Sequence, residues 1–151
     1  MEDELVLIAQ PDLEFNSLSR DQLLGCTLLL REFGSGSRHV VETALERAGF
    51  MLKSFKNVID LDSTEAIKSA VEAGLGVAFV SCFAIHKEIE LRALKIVEVE
   101  GLRVTRHYLV ASRVGPEPSG IAGAFRSFAL DRARHLSKSH ENTHHSNASS
   151  R

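Results

Sequence analysis

Two short segments rich in hydroxyl groups and glycine carry the side chains best suited to hold a ligand. Residues 34–38 read Gly-Ser-Gly-Ser-Arg, and residues 62–65 read Asp-Ser-Thr-Glu. Each segment follows an apolar run and precedes an amphipathic pattern, which predicts the junction of a strand and a helix. The N–H groups and dipole of a helix N-terminus favour anions. The candidate ligand-binding residues are therefore Ser35, Gly36, Ser37, Arg38, Ser63 and Thr64.

A structural explanation competes with ligand binding at these residues. Serine and threonine often cap helices, and for any one of these side chains capping is the simpler interpretation. Ligands of open α/β sheets bind beyond the carboxyl ends of the strands. Two such segments together therefore favour a site for a small anionic or polar molecule.

Catalytic and nucleotide-binding motifs do not fit residues 34–38. A dinucleotide fingerprint needs a third glycine where His39 stands, and a phosphate loop needs Gly-Lys-Ser or Gly-Lys-Thr. A nucleophile elbow would flank its serine with glycines two positions away, whereas those beside Ser35 are adjacent. The histidines have no cysteine or carboxylate partners at ligand spacing, and those near the C-terminus are expected to be solvated. We predict no catalytic residue, no metal and no cofactor.

The composition is that of one globular domain with a nearly neutral surface. The 151 residues are 44% apolar and 25% charged, with a net charge of -2 and no block of like charges. No direct nucleic-acid binding is predicted, because phosphate-neutralising domains are usually basic. Cys26 and Cys82 lie in or beside apolar runs and are expected to be buried free thiols. We find no signal peptide or membrane-spanning stretch and predict a cytoplasmic protein.

Alternating strand and helix patterns predict an α/β fold. Apolar runs indicate strands at 5–9, 27–30, 57–61 and 77–81, with helical spacing at 40–48, 66–71 and 121–136. Such runs are typical of a mainly parallel sheet with helices on both faces. Beyond residue 136 little could be buried, so residues 137–151 are predicted to be a disordered tail.

Three stretches, residues 3–11, 30–38 and 63–78, resemble the effector-binding domain of LysR-type transcription regulators. The third is the most specific, and the resemblance covers roughly residues 3–135. Phe33 is a departure, since the family commonly has proline there. The family domain is similar to periplasmic binding proteins, in which two α/β subdomains are joined by two crossing strands and the effector lies in the cleft between them.

The resemblance implies a division of this chain. One complete subdomain is expected at about 22–102, crossing strands at about 5–10 and 104–112, and a C-terminal helix of an incomplete second subdomain at about 119–136. The first subdomain and the DNA-binding winged helix-turn-helix of the family are expected to be absent from this chain. A truncated gene, an internal start or a deliberate shortening would explain their absence.

The resemblance also bears on the site. Thr64 matches a ligand-contacting hydroxyl of the cleft wall, and Ser35, Ser37 and Arg38 lie near the other helix start. With one cleft wall only, affinity should be low.

Two functions from different classes remain open. The first is a regulatory sensor that binds a small, anionic effector, is not an enzyme, and forms a homodimer or higher assembly. The second is a truncated self-association fragment with little ligand binding, in which the face of Phe125 and Phe128 and the crossing strands are buried by assembly. An α/β hydrolase is a third idea, but no motif supports it.

Overall fold

The computed structural model describes residues 1–109, 111, 115 and 117–147, with side chains as far as residue 133. Seven strands, five α-helices and two short 3-10 helices lie within these residues. No helix among them is long and apolar enough to cross a membrane. The elements are β1 (Glu2–Ala9), β2 (Ser17–Leu18), α1 (Arg20–Leu24), β3 (Thr27–Arg31), α2 (Gly36–Arg47), a 3-10 turn (Leu52–Ser54), β4 (Asn57–Leu61), α3 (Thr64–Glu72), β5 (Val77–Ser81), a 3-10 turn (Cys82–Ala84), α4 (His86–Glu90), β6 (Lys95–Val99), β7 (Val104–His107) and α5 (Gly120–Asn147).

The strands form a mixed sheet in the order β2-β6-β1-β5-β3-β4, with β7 also paired to β1. β3 is parallel to both of its neighbours, β4 and β5. β1 is antiparallel to β5 on one side and to β6 on the other. The prediction of a parallel α/β sheet is therefore confirmed for β3, β4 and β5. The reversed direction of β1 was not predicted, because an apolar run does not specify strand direction.

Helices cover both faces of the sheet, as the apolar runs predicted. Leu28 and Leu30 of β3 belong to one buried cluster together with Val41 of α2. Leu29 belongs to a second cluster together with Ile67 of α3. Successive side chains of a strand point to opposite faces, so the two clusters lie on opposite sides of the sheet. This double burial is why the central strands are apolar at every position.

The starts of α2 and α3 lie at one edge of the sheet. Arg31 at the end of β3 is in register with Leu61 at the end of β4, and the two strands are parallel. The turns that follow these strands therefore leave the sheet side by side. The chain passes from β3 through α2 to β4, then through α3 to β5 on the other side of β3. Such reversals of strand order open a crevice at the carboxyl ends of the strands.

The chain divides into two compact units. Residues 3–106 form the larger unit, which contains the sheet and α1 to α4. The smaller unit consists of Met1–Glu2 and the chain from His107 onward, and it contains α5. Within it, the N–H of Tyr108 donates to the carbonyl of Met1 at 2.8 Å.

Two boundaries differ from those expected from the sequence. β7 ends at His107, short of the crossing strand expected to reach 112, and residues 110 and 112–114 lie outside the described residues. α5 continues past residue 136 to Asn147. The disorder of residues 137–151 stays a prediction. No glycine or proline interrupts residues 137–147. Residues 148–151 lie outside the described residues.

Candidate functional site

The first turn of α2 is open and lacks a side-chain cap. Ser35 occupies the N-cap position, but its side chain makes no capping hydrogen bond. Gly34 has a φ of 92°, which favours glycine, and it turns the chain from β3 into the helix. Apart from its chain neighbours and the backbone of its own helix, no heavy atom lies within 4 Å of the position that a Cβ on Gly36 would take. The side of the first turn of α2 at Gly36 is therefore open.

Ser37 connects α2 to a buried charge network. Its hydroxyl accepts a hydrogen bond from Nη1 of Arg106 in β7 at 2.8 Å. Nε of Arg106 lies 2.7 Å from Oδ2 of Asp3 in β1, whose side chain is fully buried. Oδ1 of Asp3 accepts from the hydroxyl of Ser81 at 2.9 Å and from Sγ of Cys82 at 3.7 Å. The network thus joins the start of α2 to β1, β7 and the end of β5.

Arg38 is held by the protein itself. Its Nε lies 2.7 Å from Oε1 of Glu42, and its Nη1 lies 2.8 Å from Oδ1 of Asp60. Nη1 also donates to the carbonyl of Arg31 at 2.9 Å. The hydrogen bond to Asp60, followed by that to Glu42, raises the pKa of Arg38. Arg38 therefore fastens α2 to β3 and β4, with two carboxylates already beside its charge.

The first turn of α3 has the side-chain cap that α2 lacks. The hydroxyl of Ser63 accepts from the N–H of Ala66 at 3.1 Å, which is a standard N-cap. The hydroxyl of Thr64 accepts from Nη1 of Arg31 at 3.2 Å. The capping interpretation is therefore correct for Ser63, whereas Thr64 is tied to the neighbouring strand.

Arg31 links the two turns. Its Nε and Nη2 contact the two carboxylate oxygens of Glu32 at 2.7 and 2.9 Å, while its Nη1 reaches Thr64. The hydrogen bond with Glu32 raises the pKa of Arg31 and lowers that of Glu32. Through its carbonyl, Arg31 also holds Arg38. The structure therefore brings Arg38 and Thr64 to one edge, with Arg31 between them.

Sequence reasoning missed Asp3, Arg31 and Arg106. A signal was present for Asp3 and Arg31, because each is a charged residue near the end of a largely apolar strand, where a charge needs a partner. The partners cannot be read from the sequence, since Asp3 and Arg106 are more than a hundred positions apart.

A separate cluster fixes the side of α3 that faces α4. Nζ of Lys68 lies 2.7 Å from Oε1 of Glu88 and 2.9 Å from Oε1 of Glu65, and it donates to the carbonyl of Ala84 at 3.1 Å. Burial lowers the pKa of Lys68, but the hydrogen bonds to Glu88 and Glu65 outweigh it and the net shift is upward. The same contact lowers the pKa of Glu88. This cluster stabilises the fold.

The cysteines are free, as expected, but half-buried rather than fully buried. Burial raises the pKa of Cys82 and of Cys26, so both are thiols rather than thiolates at neutral pH. In the described part of the chain, no group of three or more His, Cys, Asp or Glu side chains could hold a metal ion.

A cavity of about 460 Å³ lies along the flank of α2. His39, Arg47 and Arg103 are among the residues that line it. None of the six predicted ligand-binding residues borders this cavity.

The sequence matches the family described as the LysR substrate binding domain over residues 1–134. The chain belongs to this family. The RuBisCO operon transcriptional regulator of Allochromatium vinosum is 34% identical over 139 residues, which cover 90% of this chain and 45% of the relative. The probable RuBisCO transcriptional regulator of Trieres chinensis is 36% identical over 134 residues, which cover 85% and 41%. The chain thus spans less than half the length of these relatives.

Solved structures show the same fold. The regulatory domain of CcmR from Synechocystis PCC6803, in complex with 2-PG, superposes with a TM-score of 0.66 at 25% identity, covering 85% of this chain and 62% of that one. The effector binding domain of QuiR, in complex with shikimate, gives a TM-score of 0.62 at 13% identity, covering 88% and 62%. The fold is that of the periplasmic-binding-protein-like effector domains of LysR regulators. The family is regulatory, which confirms that the chain is not an enzyme.

Proposed function

We propose that this chain senses a small anionic effector for a LysR-type transcription regulator. The observation that carries the proposal is the open start of α2, beside the Thr64 turn of α3, at the edge where the strand order reverses. The 2-PG complex of the similar CcmR domain supports an effector of this kind. The predicted contacts are Ser35, Gly36, Ser37, Arg38, Ser63 and Thr64. Among them, the open α2 turn and Thr64 fit ligand contact, whereas Ser63 acts as a cap.

Binding to this edge would act on the rest of the domain through named contacts. Ser37 is bonded to β7 through Arg106, and Thr64 to β3 through Arg31. An effector that binds one arrangement of these strands and helices better than another shifts the population toward it. In a complete regulator this shift would change the geometry of the DNA-binding part. The chain itself is proposed to bind no nucleic acid and to act in the cytoplasm.

A titration followed by two-dimensional ¹⁵N NMR tests the proposal. Adding 2-PG or inorganic phosphate should shift the amide signals of residues 34–38 and of Thr64 in a saturable way. The melting temperature should rise modestly, because ligand binding stabilises the folded state. Ser37→Ala should weaken binding, while Ser54→Ala, at an exposed serine of the Leu52–Ser54 turn, should not. Shifts confined to α5, or no shifts at all, would contradict the proposal.

Self-association stays a prediction with one supporting feature. Ile121, Phe125 and Phe128 of α5 follow one another at helical spacing, and each is at least two-thirds exposed. Exposed apolar stripes of this kind commonly mark interfaces. The family match favours effector sensing over a pure assembly fragment, so association would accompany ligand binding. Sedimentation velocity over a range of concentrations tests it, and a monomer at all concentrations would rule it out.

A further inference from the structure

The cavity along the flank of α2 is a second place in the molecule that could hold a ligand. Its lining comes from residues 39–48, which are α2 and its C-cap, and from residues 101–105, which lead into β7. All of these residues belong to the larger unit. The volume of about 460 Å³ lies within the range of pockets that hold small molecules. The cavity therefore has room for a small organic ligand.

One part of the lining is apolar. It is formed by Val40, Ala44, Ala48 and Leu102. All four side chains are partly buried and pack against the buried cluster that contains Val41. Apolar surface that is still partly exposed is stabilised when another apolar group covers it. This part of the cavity suits the apolar body of a ligand.

The more exposed part of the lining is basic. The side chains of His39, Arg47 and Arg103 lie there, and the hydroxyl groups of Thr43 and Thr105 lie beside them. No Asp or Glu is among the described residues that line the cavity. The planar guanidinium group of arginine matches the geometry of a carboxylate. This part of the cavity suits a negatively charged group.

Arg103 already pairs with one carboxylate. Its Nε and Nη2 lie 3.2 and 3.3 Å from the two carboxylate oxygens of Glu4. The side chain of Arg103 is 67% exposed, and ion pairs at such exposed positions are weak. The two arginines of the lining carry two positive charges, of which Glu4 balances one. An anion that enters the cavity is therefore attracted.

A structural explanation exists for Arg47 alone. It lies in the last turn of α2, where a positive charge complements the helix dipole. That explanation does not extend to His39, which lies in the first turn of the helix, or to Arg103, which precedes β7. Basic side chains from three separate places thus border one apolar cavity. Apolar walls with a few polar groups are typical of pockets that bind small molecules.

We propose that this cavity binds a second small ligand, an organic acid that joins an apolar body to a carboxylate. The apolar body covers Val40 and Leu102, and the carboxylate contacts Arg47 and Arg103. None of the six residues predicted to bind the effector borders this cavity. The second site therefore goes beyond the proposed function and does not depend on it.

A series of three probes followed by ¹⁵N NMR tests the proposal. Hexanoate has both an apolar chain and a carboxylate, acetate has the carboxylate without the chain, and 1-hexanol has the chain without the charge. Hexanoate should shift the amide signals of residues 39–48 and 101–105 in a saturable way. Acetate and 1-hexanol should each bind at least about 10-fold more weakly, because each lacks one of the two interactions. Equal binding of hexanoate and either of the other probes would overturn the proposal.

A matched pair of variants tests the basic part of the lining. Arg47→Gln removes one positive charge at an exposed helix position, where glutamine is well tolerated. It should weaken the binding of hexanoate about 5-fold or more, as for a lost hydrogen bond to a charged group. Arg132→Gln, at an exposed arginine of α5 in the smaller unit, is the control and should bind hexanoate as the parent chain does. Cooperative thermal unfolding establishes that both variants are folded.

The outcomes separate the second site from the proposed function. If hexanoate gives no saturable shifts at residues 39–48 and 101–105, the second site is overturned, whether or not phosphate binds at residues 34–38. Hexanoate shifts confined to residues 34–38 and Thr64 would overturn it too, because they would assign the acid to the effector site. A folded Arg47→Gln variant that binds hexanoate as tightly as the parent chain would contradict recognition of the carboxylate by this arginine. Binding of hexanoate without any binding of phosphate or 2-PG would overturn the proposed function alone.

Discussion

The first turns of α2 and α3 start at the same edge of the sheet but are built differently. At α3, Ser63 caps the helix and Glu65 adds a negative charge in the first turn, where it complements the helix dipole. At α2, the N-cap Ser35 makes no side-chain bond and the first turn has no acidic residue. Both starts are rich in hydroxyl groups, but only at α3 does the N-cap hydroxyl form a capping hydrogen bond.

The difference favours the start of α2 as the proposed place for a ligand. An uncapped N-terminus costs stability, and a protein retains that cost where the free N–H groups have another use. Gly36 in the first turn adds to the cost, since glycine weakens a helix. The hydroxyls of Ser63 and Thr64 have structural partners, and so does that of Ser37, whereas Ser35 makes no capping hydrogen bond.

Loss of the Lys68 contacts, which join α3 to α4, should have the largest effect on stability. Lys68→Met keeps the volume but breaks the contacts to Glu88, Glu65 and the carbonyl of Ala84. We expect the free energy of unfolding to fall by about 2 kcal/mol, as for lost hydrogen bonds to charged groups. Urea unfolding measures it. Lys87→Met, at an exposed lysine of α4, is the matched control and should change stability by less than about 0.5 kcal/mol. Equal losses in both variants would show that the cluster does not support α3.

The two N-cap serines should respond unequally to alanine. Ser63→Ala removes an observed capping bond and should destabilise the protein by about 1 kcal/mol. Ser35→Ala removes none and should stay within about 0.5 kcal/mol of the parent chain. Both values come from urea unfolding under the same conditions. If Ser35→Ala proved as costly as Ser63→Ala, the two helix starts would be equivalent and the comparison would fail.

Much of this architecture is predictable from the sequence, and the reason is physical. Runs such as residues 27–30 and 77–81 are apolar at every position, which requires a strand covered on both faces. The two turns could be placed at one edge because each follows such a strand and opens a helix. These patterns are formed by residues that are close together along the chain, so a single sequence is enough to show them.

The roles of the individual side chains were less predictable. Arg38 was assigned to the ligand, but Glu42 and Asp60 hold it, and Asp60 becomes a neighbour only when β4 pairs with β3. Arg106 was not singled out, because its meeting with Ser37 and Asp3 depends on three separate elements. Long-range contacts of this kind decide which partners each charged side chain has, and spacing along the chain does not reveal them.

The stability that the ion pair of Lys68 and Glu88 contributes should depend on pH. Lys68 lowers the pKa of Glu88 below its ordinary value of 4.5. The stability that this pair contributes is therefore present above about pH 4.5 and is lost as the pH falls through the lowered pKa of Glu88. The stability difference between the parent chain and Lys68→Met should accordingly shrink in acid. Urea unfolding at several pH values between neutral and acidic conditions measures it, and a difference that stays constant would exclude the ion pair as its source.

A small gain in stability, and the sharpest test of the contrast, is expected for Gly36→Ala. Gly36 begins α2 with open space where the new Cβ would lie and without a positive φ, so alanine fits the folded chain. Because alanine reduces the freedom of the unfolded chain, the free energy of unfolding should rise by about 0.5 kcal/mol. Phosphate binding should nevertheless weaken, because the methyl group would stand in the approach to the first N–H groups of the helix. A variant that gains stability and loses affinity would show that this glycine is kept for the ligand. Unchanged affinity in the NMR titration would show instead that the anion does not approach the backbone of α2 there.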